Sequence, residues 1–153
     1  MRKSIVIIAA CAALALVVGA STMGSSELDR DARIQITSRG VASNYIDRGS
    51  RGHSPGDLLT MRELLYNRGI TPKAIGRSDL VCTYTSRSQR QCTGTFTLPK
   101  GKIVVSGTIT FPQFHELAVI GGTRLYSNVR GSVTMTLLSR KPHRELLVFR
   151  LDV

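Results

Sequence analysis

The 153-residue sequence predicts an all-β, antiparallel domain behind an N-terminal export signal. Three observations carry the fold class. After residue 30, apolar and polar residues alternate with a period of two, in runs rich in Thr, Val and Ile. Gly- and Pro-containing turn signals separate those runs at short intervals. No convincing alternation of strand and helix patterns builds a parallel sheet, so the pattern leaves a barrel or a sandwich.

The first segment stands outside that fold. Arg2 and Lys3 precede an apolar run from Ile5 to Val18, and Val18-Gly19-Ala20 offers small residues for cleavage. This order is the signature of a secretory signal peptide over residues 1–20. The run is shorter than the roughly 20 residues that span a bilayer, so membrane attachment follows only if the signal stays uncleaved as an anchor. Ile8-Ala9-Ala10-Cys11 also resembles a lipoprotein box, against the simpler reading of Cys11 as an apolar member of the signal core. Cleavage gives a secreted or extracytoplasmic location. It leaves 133 of the 153 residues, enough for one domain. Residues 21–30 are Ser-rich and read as a flexible leader; 31–153 read as the domain.

The chain has 21 basic and 10 acidic residues, and loss of Arg2 and Lys3 leaves 19 against 10, a net charge of +9. Such a charge favours solubility and attraction to polyanions. The cations are scattered from Arg30 to Arg150, Trp is absent, and no RNA-binding motif with interleaved aromatics occurs. A specific nucleic-acid partner is therefore not expected.

Along the domain, Arg33 to Thr37 alternates cleanly, and Tyr45 and Ile46 suggest a short second strand. Asp57 to Tyr66 is ambiguous. Leu58, Met61 and Leu65 form a helical stripe, with Asp57 as N-cap and Gly69 as stop, so local propensity prefers a helix. Further on, Ile103, Val105, Ile109 and Phe111 share one face, as do Val133, Met135 and Leu137, and then Leu147, Phe149 and Leu151. Turns are expected at 49–56, Leu98-Pro99-Lys100-Gly101, Gly121-Gly122 and Lys141-Pro142.

Cys82 and Cys92 are the two cysteines left after export. They sit in strand-like segments joined by the polar stretch Ser86 to Gln91. Facing each other across such a hairpin, they suit a disulfide in an oxidising compartment. A redox pair would call for closer spacing or a neighbouring His, and neither is present.

The order of motifs adds a resemblance. Asp47-Arg-Gly-Ser50, Ser54-Pro-Gly-Asp57, Leu65-Tyr66 and Ile75-Gly76 precede the cysteine hairpin. Thr95 to Ile103 follows, then Leu117-Ala-Val-Ile-Gly-Gly-Thr-Arg-Leu-Tyr126 and Val129-Arg-Gly131. Together these resemble the bacterial secreted branch of the allene oxide cyclase barrel-like family, related to plant dirigent proteins, from about Arg33 to Val153. The resemblance implies an eight-stranded antiparallel barrel with an apolar cavity, often assembled as a homotrimer, and turns the 57–66 segment into a strand. Arg124 and Val129 stand where the family usually has Gly and Ala. Arg lacks the ease of Gly at positive φ, so a different turn is expected there. No catalytic residue is carried over from the family to this chain.

The residues themselves exclude several chemistries. Gly121-Gly122 lacks the Gly-Lys-Ser/Thr of a phosphate loop, and no Gly-x-Ser-x-Gly elbow occurs. His53, His115 and His143 show no ligand spacing to one another or to carboxylates, so neither a metal nor another cofactor is expected. What remains is a barrel able to hold packed side chains or one small ligand. Polar residues that break an inner face are then the ligand-binding candidates: Asp57, Glu63, Arg77, Tyr84 and Glu116, each against the plainer reading of a salt bridge or turn cap. Gly121, Gly122 and Thr123 are expected to form a structural turn. The function implied is binding of a small apolar or aromatic molecule and steering of its cyclisation or coupling, an isomerase-like role. The alternative is a non-catalytic envelope or surface protein whose basic exterior holds polyanions. A well-formed cavity with an inward polar group favours the first, and a plugged barrel with one basic face the second.

Overall fold

A computed structural model describes residues 31–68 and 73–152; the expected signal peptide (1–20) and leader (21–30) lie outside the described residues. Eight strands form one closed antiparallel barrel in chain order. They are β1 (Asp31–Ile46), β2 (Leu58–Asn67), β3 (Gly76–Tyr84), β4 (Arg90–Leu98), β5 (Gly101–Ile109), β6 (Phe114–Gly122), β7 (Arg130–Arg140) and β8 (His143–Asp152). β8 pairs back onto β1, so no sheet edge is left open.

The expected alternation builds the interior. Ile103, Val105, Val133, Met135, Leu147, Phe149 and Leu151 are all buried, and Phe96 meets Phe149 edge to face at 5.2 Å between ring centroids. Cys82 and Cys92 are direct partners across β3 and β4 and form the disulfide on the inner face, both fully buried.

Three local expectations are corrected and one is met. Tyr45 and Ile46 do not start a second strand but end β1, which a bulge between Gly40 and Ala42 bends onward past residue 40. The 57–66 segment is β2, the strand that the resemblance implied over its local helix propensity, because pairing with both β1 and β3 satisfies its backbone and puts Met61, Glu63 and Leu65 on one face. Phe111 lies beyond β5 and is exposed, so it does not extend the face of Ile109. Gly121 and Gly122 complete β6, opposite Val104 and Ile103, and the chain turns afterwards through a 3₁₀ turn at Arg124–Tyr126. Arg124 itself adopts φ +57, the left-handed conformation that glycine takes more cheaply.

The two ends of the barrel differ. At one, Ile36, Leu98, Phe149 and Leu151 close the core, with Ala32, Ile34, Ile75 and Tyr126 packed against it. At the other, reached by the loops after β1, β3, β5 and β7, buried polar side chains replace aliphatic ones.

Candidate functional site

The polar end is built from strand residues whose alternation points inward. β2 contributes Met61 and Glu63, β3 Ser78 and Leu80, β4 Arg90, β6 His115, β7 Met135, and β8 His143 and Glu145. Met61, Glu63, Leu80, Arg90, His115, Met135, His143 and Glu145 line a small cavity of about 50 Å³ with Pro112. An adjoining surface recess of about 390 Å³ runs along the bulge of β1, from Gly40 to Ser43, and shares Met61, Glu63 and His143.

The bulge and the missing side chain of Gly40 shape this region. A Cβ at Gly40 would come within 3.3 Å of the His143 Cβ, so glycine lets the imidazole lie close across the strand. His143 Nε2 then stands 3.3 Å from Glu145 Oε1 and 3.7 Å from Glu63 Oε1. Ser78 donates its hydroxyl to Glu63 Oε2 at 3.0 Å. Glu63 and Glu145 are 3 % and 5 % exposed, a depth at which carboxylates require partners. Burial, and then the neighbouring Glu145, push the Glu63 carboxyl above its ordinary value. Glu145 beside it raises the His143 imidazole, whereas burial lowers His115. Groups of opposite tendency thus face one cavity, an arrangement able to hold or exchange a proton.

A second cluster sits at the same end, outside the cavity. The Ser54-Pro55-Gly56-Asp57 segment forms a turn closed by the Asp57 amide on the Ser54 carbonyl at 3.2 Å, with Gly56 at φ +95. Asp57 is fully buried. Its carboxylate accepts from the Tyr45 hydroxyl at 2.6 Å, the Arg48 amide at 2.8 Å and the Ser54 amide at 2.6 Å. Those bonds, Tyr45 first, hold it well below the usual carboxylate range. His53 stacks on Tyr84 at 4.5 Å between ring centroids, and the Arg90 guanidinium lies over the same Tyr84 ring, 5.9 Å from its centroid. Arg90 therefore links the aromatic corner to the cavity.

The five ligand-binding candidates separate. Glu63 reaches the cavity. Tyr84 is buried in the aromatic corner, and Asp57 anchors the turn beside it. Arg77 and Glu116 lie on the outer surface, Arg77 3.6 Å from Asp79 in an exposed ion pair. Sequence reasoning missed His115, His143, Glu145 and Arg90. The separation expected between the histidines and the carboxylates fails for His143. The missed signal was period two itself: Glu145 shares its face with Leu147, Phe149 and Leu151, and His115 with Leu117 and Val119.

Several solved structures share this architecture. A pyocyanin demethylase superposes with a TM-score of 0.70 at 20% identity, over 79% of this chain and 100% of that one. The barrel is that of the dirigent-like fold. A pterocarpan synthase dirigent protein matches with a TM-score of 0.61 at 12% identity, over 80% of this chain and 94% of its own. A Diels-Alderase from Streptomyces koyangensis matches at 0.58 and 15% identity, over 84% and 71%. No protein-family model and no curated protein matches the sequence.

Proposed function

We propose that this dirigent-like barrel works outside the cytoplasm. There it binds a small apolar or aromatic molecule at its polar-lined mouth and holds it in a conformation that favours cyclisation or coupling. The observation that carries the reading is the buried Glu63–Glu145 pair, set among Met61, Leu80 and Met135 at a concave end of the barrel. The 50 Å³ cavity alone is too small for such a molecule. With the adjoining 390 Å³ recess, the space reaches the lower part of the roughly 300–1,000 Å³ usual for ligand sites. Met61 and His143 divide the two spaces, and a ligand spanning them would displace one or both.

Chemistry of this kind needs a wall that restricts the reactant and a few groups that orient it. Met61 and Leu80 supply the wall. Glu63, held toward its protonated form, can donate a hydrogen bond to a ligand oxygen, and His143 can accept or return a proton. The fold shared with a dirigent protein and a Diels-Alderase supports the class of reaction by analogy of fold. The disulfide supports an oxidising location.

A thermal-shift screen with small phenolics and fatty-acid derivatives tests this. Saturation at about 100 times Kd is worth roughly 2.7 kcal/mol, a melting shift of several degrees. The shift should shrink in Glu63→Gln. Silence from both chemical groups sinks the reading. The filled barrel centre and exposed Arg33, Arg39, Arg62 and Arg77 favour the polyanion-holding alternative instead. Salt-sensitive retention on an anionic matrix, without stabilisation by any small molecule, is the result that would select it.

A further inference from the structure

Two carboxylates and one imidazole converge at the mouth, with His143 shared between Glu145 and Glu63. Charge-assisted hydrogen bonds between such groups run at about 2.7–2.9 Å. The two contacts of His143 are 3.3 and 3.7 Å, too long for that bond. Both lie near the edge length of a coordination shell, and the third edge, between Glu63 and Glu145, would close onto an ion. Ligands about 2.1 Å from a tetrahedral divalent ion stand about 3.4 Å from one another. One donor atom from each of Glu63, His143 and Glu145 lies within 4.8 Å of the other two.

One further observation points to an occupant. His115 is 8 % exposed, lines the same cavity, and its Nδ1 has no hydrogen-bond partner. Ser38, paired in register with Glu145 across β1 and β8, is 1 % exposed, and its hydroxyl serves Glu63. Buried polar atoms without partners are rare in folded proteins and call for an ion or water to satisfy them. The cavity of about 50 Å³ between these groups suits an ion with its bound water better than an organic molecule.

Nearby positive charge is the main counterweight. Arg90 also lines the cavity, but it forms no ion pair with either carboxylate; its guanidinium lies over Tyr84 and contacts the Tyr84 hydroxyl at 3.5 Å. The carboxylates share His143 alone, and that imidazole is half-exposed.

We propose that Glu63, His143 and Glu145 form a binding site for a divalent transition-metal cation of the zinc type, with a fourth position open to water. One nitrogen and two oxygens suit such an ion better than a hard cation, which takes oxygens alone. Binding needs neutral His143, so the cation takes the place of the imidazole proton. His115 Nδ1 accepts a hydrogen bond from the metal-bound water, which makes it a positioning residue. The proposal stands on the donor geometry and does not depend on the mouth taking an organic ligand.

The test uses untagged, chelator-stripped protein titrated with Zn²⁺ by calorimetry, and with Co²⁺ by visible absorption. One equivalent should bind, the Co²⁺ form should show the strong ligand-field bands of a tetrahedral site, and the melting temperature should rise with Zn²⁺. His143→Ala alters a half-exposed residue, and Glu145→Gln keeps the side-chain shape; each should abolish the Co²⁺ bands while circular dichroism stays that of the barrel. His115→Ala should weaken binding about 10- to 100-fold without removing it. Absence of stoichiometric binding overturns the proposal. So does Zn²⁺ binding that survives both His143→Ala and Glu145→Gln, or a site that takes Ca²⁺ and refuses Zn²⁺ and Co²⁺. A Zn²⁺ site without any phenolic or fatty-acid hit would leave the metal proposal standing and the small-molecule reading refuted.

Discussion

The two ends of this barrel spend the same alternation differently. Around Phe96, Phe149, Leu98 and Leu151, the inward positions are apolar apart from Ser78, the partner of Phe96, and the side chains pack against one another. Two residues further along the same strands, Leu147 gives way to Glu145 and Leu65 to Glu63, and a cavity opens. The strands run through both ends, but β1 and β7 bulge at the polar one, so backbone geometry and side-chain chemistry change together. Buried carboxylates cost desolvation that aliphatic residues in their place would not. The filled end therefore carries stability, and the polar end carries the groups with something to recognise.

Substitutions sharpen that contrast. The largest effect belongs to the filled end: Phe149→Ala removes a fully buried ring and its partner contact with Phe96, and should cost about 3–5 kcal/mol in chemical denaturation. A smaller loss would mean the core collapses readily around the gap. Replacing both cysteines, Cys82→Ser with Cys92→Ser, opens a bridge of sequence separation 10 and should cost about 3 kcal/mol in the chain-entropy view.

Asp57→Asn comes next. The amide nitrogen of Asn would face donors from Tyr45, Arg48 and Ser54, and melting should fall by roughly 5 °C. Because the Asp57 carboxyl is held below its ordinary value, its contribution is complete above the unfolded carboxylate range. It drains away as pH drops through the folded value. The variant should therefore show a flatter acid limb in melting against pH, and an unchanged limb would remove Asp57 as its source.

The smallest effect is at the polar end. Glu63→Gln should change stability by within about 1 kcal/mol near neutral pH. The folded value of Glu63 is raised, so its stabilisation is present below the ordinary glutamate value and fades as pH climbs. Gln escapes that loss, and the variant should gain on the wild type as pH rises above the ordinary glutamate value. A variant that instead loses ground with rising pH would contradict the buried-carboxyl picture.

Much of the filled end was legible in the sequence. Ile103 with Val105, Val133 with Met135, and Leu147 with Phe149 and Leu151 alternate without interruption, and one face of a strand must be buried. Less was legible at the mouth. Glu63 stands in a segment whose local pattern favours a helix, and only pairing with β1 and β3 turns it inward. The approach of His143 to Glu63 depends on the β1 bulge and on Gly40, and neither a bulge nor a cross-strand neighbour can be read from one strand's own alternation. Arg77 and Glu116 had the right chemistry and the wrong parity: their neighbours Ser78, His115 and Leu117 take the inner positions.

The most direct test of where a small molecule binds is amide chemical-shift mapping during titration with a phenolic or fatty-acid probe. The other end also offers a groove, of about 710 Å³, lined by Ile34, Leu98, Leu125 and Tyr126. The account predicts shifts concentrated at Met61, Glu63, Leu80, His115 and Met135. Shifts confined to Ile34, Leu98 and Tyr126 would contradict it and move the binding site to the opposite end of the barrel.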